Sequence, residues 1–435
     1  MQSRKLTIAA AGAATLLLTS CAGAGDVEDT GSSELDVAPG VTEDTVVIGS
    51  HQPLTGPAAP GYLQISIGAG AVYDYINENG GVHGREIEYV VEDDGYDPTR
   101  TVEVTRDLVL REEIFAMVGG LGTPTHSKVL DFLNEEGVPD LFVSSGALMW
   151  NQPEEYPLTY GYQVDYTKES KVQGAFIAEN FPDAKVGYLQ QNDDVGTDSR
   201  AGLDQYLSDN VVSQQSYESS STNISPQMAE LKDAGVEVLV CSCIPAFTAL
   251  AMLEAQAIDW QPQFVVSSIG ADTATLMGLL KEFGGENLPA DQMLDGMIST
   301  GYLPQITMSD DPWITFYRKV HEEMGVEEPF TNTMLYGMVQ ATQFARALEA
   351  AGPEPTRQSL LDAVNSNDFS GPGLVPFVAT EDDHAGYDGA FVSQFNAGGT
   401  PEILQEPMVT DRGEGPLESF DLERPTPREI DILTE

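Results

Sequence analysis

The sequence predicts an α/β protein built from two doubly wound parallel sheets. Three observations carry this. Apolar runs of strand length alternate with helically spaced apolar residues, the alternation pauses near Tyr166 and restarts, and Gly, Ser and Asp cluster just after the strands.

The first cycle opens on TVVIGS (45–50), an apolar strand. Tyr62, Ile65, Ala69, Val72, Tyr73 and Ile76 then recur at helical spacing before the turn NGG (79–81). EIEYVVE (86–92) is the second strand, Asp97-Pro98 opens a helix through Leu108, and IFAMVG (114–119) and DLFVSS (140–145) follow. Between the last two lies VGGLGTPTHSK (118–128), whose glycines invite a nucleotide reading. It fails both patterns: no glycine precedes Lys128 as a P-loop needs, and Thr125 stands where a dinucleotide loop needs its third glycine. Thr123 reads as the N-cap of one helix, Pro124 as its first residue and Gly137 as its end. On that reading the loop aims backbone N–H groups and a hydroxyl at an anion.

The second cycle contains KVGYLQQ (185–191), VEVLVCSC (236–243) and QFVVSS (263–268), with helices near 167–180, 197–209, 226–234 and 245–257. Helical patterns return at 311–325, 331–351 and 356–365. A Gly- and Pro-rich stretch with short strands such as GAFVSQF (389–395) comes next, and the acidic, Pro-punctuated end is expected to be poorly ordered.

Composition narrows function. The 435 residues include 69 acidic and 20 basic ones, which argues against nucleic-acid and anionic-lipid partners. Arg4 and Lys5 precede the apolar run Leu6–Leu18, too short to span a membrane and shaped like a secretory signal. It ends in LTSC (18–21), which resembles a bacterial lipobox and makes Cys21 the expected lipid attachment site. Cys241 and Cys243 sit two apart on a strand, a poor disulfide spacing, and are expected as buried thiols. The five histidines are scattered, and neither a metal site nor a cofactor is expected. G-x-S-x-G and H-E-x-x-H are missing, and Asp93/Asp94 and Asp193/Asp194 read as solvated loop acids, so no enzyme is expected.

The order VVIGSHQPLTGPAAPGY, INENGGVHGREIEYVVEDDGYDP, MVGGLGTPT, GVPDLFVSSGA and KVGYLQQNDDVG resembles the solute-binding lipoproteins of branched-chain amino acid ABC transporters, the leucine/isoleucine/valine group of type I periplasmic binding proteins. The likeness runs from about residue 44 to 395. It implies two α/β lobes joined by three crossovers, lobe one at 41–163 plus 301–385 and lobe two at 164–300 plus 386–410, after a signal (1–20) and spacer (21–40) and before a tail (411–435). It further implies a lipid-anchored extracytoplasmic monomer that hands a small solute to a membrane permease, or, as a sensor, docks a receptor instead. Carried across residue by residue, the ligand positions are Leu54, Tyr62, Leu121, Gly122, Thr123, Ser145, Gly146, Ala147, Leu148, Asp194, Cys243, Ile244 and Ile269. Thr123 falls where the family's hydroxyl meets a ligand carboxylate. The chain departs from the family at Leu148 for a threonine, Cys243 for a tyrosine and Ile269 for the acid that binds an ammonium. Unless Asp193, Asp194 or Asp272 substitutes, a ligand ammonium is left without a partner.

Overall fold

The computed structural model describes Leu35 and residues 37–221, 223–420 and 422–427; the lipidation expected at Cys21 lies outside them. Strands β1 (Thr45–Gln52), β2 (Glu86–Asp93), β3 (Ala116–Val118), β4 (Asp140–Val143) and β5 (Thr159–Gly161) form one parallel sheet in the order β2-β1-β3-β4-β5. Strands β6 (Val186–Gln191), β7 (Val211–Tyr217), β8 (Val238–Ser242), β9 (Gln263–Val266) and β10 (Ile298–Gly301) repeat that order as β7-β6-β8-β9-β10, again parallel. The restart seen in the sequence is thus a repeat of topology. A separate hairpin, β11 (Phe377–Thr380) with β12 (Asp383–Tyr387), precedes three antiparallel additions to the second sheet: β13 (Ala390–Phe395), β14 (Pro401–Val409) and β15 (Glu418–Ser419).

Three strands escape a sequence reading for physical reasons. Three-residue β5 and four-residue β10 (ISTG) are too short and polar to show a period, and β7 (VVSQQSY) is an edge strand with one face in solvent. The chain leaves the first sheet after β5, returns after β10 and crosses again between β12 and β13, which makes three crossovers. In each parallel sheet the strand order reverses beside the first strand, which opens a crevice at the carboxyl ends there.

Two helices wall the first lobe, Ala59–Glu78 and Asn332–Ala350. They cross at glycines. A Cβ on Gly337 would stand 1.9 Å from the Ile65 carbonyl oxygen, and one on Gly68 would stand 2.3 Å from that of Met334. Only bare backbone permits this approach, and the same helices bring Ile65 and Tyr336 to the cleft.

The chain after residue 410 is held at both lobes where it is described, including part of the last twenty residues expected to be poorly ordered. The buried Lys171 ammonium donates to Asp411 Oδ1 and to the carbonyls of Gly413 and Gly415, and Arg412 pairs with Asp165. Farther on, Arg424 pairs with Asp311 at 2.6 Å and Trp313 donates its indole N–H to Pro425. Acidic, Pro-rich composition signalled disorder; these few basic and aromatic anchors override it.

Candidate functional site

The carboxyl ends of the two sheets face each other across an open-mouthed cavity lined by residues of both. Direct contacts already join its rims. Tyr62 Oη donates to the Ile269 carbonyl (3.0 Å), Asn332 N–H to Asp272 (3.1 Å) and Leu148 N–H to Asp198 (3.0 Å). Burial pushes the Asp198 carboxyl up to about 6, and the Leu148 hydrogen bond opposes that rise.

Of the positions carried over from the resemblance, Tyr62, Leu121, Gly122, Thr123, Ile244 and Ile269 line the cavity. The others stand behind or beside its wall. Ser145 holds the Thr123 hydroxyl at 2.7 Å and accepts Ala147 N–H, while the Gly146 carbonyl accepts Tyr166 N–H at the first crossover. Leu54 donates its N–H to Asp93, Leu148 serves the rim contact, and half-buried Asp194 begins a helix. Cys243 is fully buried and joined to Cys241 by a disulfide, not left as a thiol. The chain turns as β8 ends, and its Cα atoms approach to 5.2 Å. An extended strand would hold them roughly 6.6 Å apart, near the upper limit for a disulfide, and the turn brings them well inside it.

The Thr123 loop also differs from expectation. Gly122, at φ +104°, precedes the helix in place of a threonine cap, and the helix breaks into Thr123–His126 and Leu130–Glu135. With only one turn behind it, the loop loses the helix-end argument for an anion, but the Thr123 hydroxyl is free of capping and joins Ser145 and Tyr166 at the cavity wall. Tyr96, Gln163, Tyr166, Thr300 and Tyr336 also line the cavity and were missed. Tyr96 lies in the strand-end loop DDGYDP, a usable signal; Gln163, Tyr166 and Thr300 sit at crossovers, which no local pattern marks, and Tyr336 lies within the helix Asn332–Ala350.

Beneath this loop the acids and histidines read as solvated or scattered prove organised. Asp94, His51, His126 and Asp140, all fully buried, form a chain with three successive contacts of 2.8 Å. Burial pulls His51 below its ordinary range, with the Asp94 hydrogen bond opposing. The chain also supports the loop directly: Leu121 N–H donates to the His51 carbonyl, and a Cβ on Gly120 would meet His126 Nδ1 at 2.4 Å.

Among the described residues, no Lys, Arg or His lines the cavity, and no cluster of metal-ligating side chains is present. Its walls are tyrosines and aliphatic side chains with a few hydroxyls and amides and the carboxylate of Asp272. Of the three acids considered for an ammonium, only Asp272 lines the cavity. Asp272 caps its own helix with one oxygen and accepts Asn332 N–H with the other. Asp193 accepts from Val195 N–H and Gln191, and Asp194 does not reach the cavity wall.

Two lobes of repeated topology thus meet at a cleft lined from both. The periplasmic binding protein family model matches residues 45–400, and the chain belongs to that family. It is 23% identical over 339 residues to the leucine-, isoleucine-, valine-, threonine- and alanine-binding protein of Pseudomonas aeruginosa, covering 76% of this chain and 84% of the relative. A fatty acid ABC transporter substrate-binding protein from Thermomonospora curvata superposes with a TM-score of 0.73 at 20% identity, covering 86% of this chain and 95% of its own. A branched-chain amino acid ABC transporter protein from Thermus thermophilus, with bound valine, gives 0.73 at 17% identity, covering 86% and 98%. These relatives bind substrates and are not enzymes. Membership places the protein outside the cytoplasm, and among the described residues no helix is long and apolar enough to cross a membrane.

Proposed function

We propose that the protein captures a small solute with a polar oxygen at one end and a largely apolar body, closes its lobes over it, and delivers it to an ABC permease. The observation that carries this reading is the cavity itself: Tyr- and aliphatic-lined, without a basic side chain, and with the Thr123 hydroxyl group at its wall. Thr123, Gly122, Leu121, Tyr62, Ile244 and Ile269 are its ligand contacts, and Cys21 tethers the protein to the membrane face where the permease sits. Relatives named for leucine, valine and a fatty acid support a solute that joins an apolar body to a polar head.

A melting-temperature screen of carboxylates, amino acids, amides and short peptides tests the capture step. A solute at 100 times its Kd stabilises the native state by about 2.7 kcal/mol, a shift easily seen. A panel without any shift contradicts the reading. Fatty-acid labelling that persists in Cys21→Ser contradicts the anchor.

A further inference from the structure

The family match ends at residue 400, but the chain continues, and its described residues after 410 meet the two lobes in turn. On the second lobe the ammonium of Lys171, only 1% exposed, donates to Asp411 Oδ1 (2.9 Å) and to the carbonyls of Gly413 (2.6 Å) and Gly415 (2.7 Å). Arg412 pairs with Asp165, Leu417 packs against that lobe's core, and β15 adds to its sheet. Phe420 already packs against the core of the first lobe. There Arg424 donates to Asp311 (2.6 Å) and to the carbonyls of Gly371 (2.8 Å) and Pro372 (2.9 Å), and Pro425 accepts the Trp313 indole N–H.

Only 20 of the 435 residues are basic, so Lys171, Arg412 and Arg424 committed to one segment mark a built attachment. The segment also has little slack. A chain extends at most about 3.6 Å per residue, so Leu417 and Phe420 stay within about 11 Å of each other. Its course follows the hinge. Asp165 lies at the first crossover, and Leu374, just after Pro372, donates its N–H to the Tyr302 carbonyl at the second. Lys168, one turn before Lys171, pairs with Asp388 at the third. A link pinned on both sides of a hinge cannot follow the lobes far without bending sharply or losing an anchor.

We propose that the segment pinned by Lys171 at one end and Arg424 at the other is a strap, a fourth link beside the three crossovers, which limits how far the ligand-free lobes open. It lies beyond the family match, so it is an addition of this chain to the two-lobed frame. A narrower range of opening leaves less freedom to lose on closure, and so favours tighter capture. The strap's use rests on the capture reading above; its test needs no solute.

Small-angle scattering of the purified, ligand-free protein compares the wild type with two variants. Phe420→Ala/Arg424→Ala removes the first-lobe anchor. An insertion of about eight Gly and Ser residues between Ser419 and Phe420 keeps both anchors and adds roughly 16 Å of flexible reach. Both variants are expected to shift the radius of gyration above the wild-type value while circular dichroism stays unchanged, which separates wider opening from unfolding. A wild-type radius in either folded variant overturns the proposal. Should the double variant unfold, the insertion decides alone, because it leaves every anchoring contact in place. The capture reading fails separately, only if the melting-temperature screen finds no solute.

Discussion

Thr123→Ala is expected to weaken solute binding about 10- to 150-fold and leave a folded protein. The hydroxyl is buried, sits in the cavity wall and already shares hydrogen bonds with Ser145 and Tyr166, so a ligand oxygen there meets an ordered cluster of donors. Losing a hydrogen bond to a charged oxygen costs roughly 1.5–3 kcal/mol, which is that range in affinity. Folding has less at stake, because Thr123 caps no helix and Ser145 keeps its bond to Ala147 N–H. Calorimetry on the purified variant checks this. Undiminished affinity in a folded Thr123→Ala protein would leave the hydroxyl with a local structural role alone.

Gly337→Val is the substitution expected to damage stability most. A side chain there meets the Ile65 carbonyl oxygen at 1.9 Å, and backbone cannot rotate aside as a side chain can. Overpacking a core costs typically about 1–3 kcal/mol and occasionally more; a backbone collision between two helices belongs at or above the upper end. Function should suffer with it, because Ile65 and Tyr336 on those helices line the cleft. Chemical denaturation against Gly337→Ala gives the comparison: the smaller side chain should fall between wild type and Val. Wild-type stability in the Val variant would show that the helices are not locked at this crossing.

The sequence revealed the framework more clearly than the site, and the particular residues show why. Apolar strands such as β1 and β8 and the helix Asn332–Ala350 announce themselves because each buries a face at a fixed period. The short strands β5 and β10 bury too little to do so. Of the site, the loop from Leu121 to Thr123 was legible because glycines after a strand mark a carboxyl-end turn. The pairing of His51 with His126, 75 residues apart, was not, and neither was Asp94 as a buried partner. Long-range polar pairing leaves no periodic trace; it exists only once the sheet sets β1 beside β3. The Cys241–Cys243 disulfide escapes the sequence for a related reason, since the two-residue spacing suits an ideal strand poorly and the turn that closes it leaves no local mark.

Closure of the two lobes over a solute is tested most directly by small-angle scattering with and without a saturating ligand whose binding calorimetry has confirmed. Contacts such as Tyr62 to Ile269 and Asn332 to Asp272 exist only when the rims meet, so a solute that fills the cleft should shift the population toward that state. The radius of gyration is expected to fall on saturation, to the value of the rim-joined structure. A radius that does not change while the ligand is demonstrably bound would contradict capture by closure.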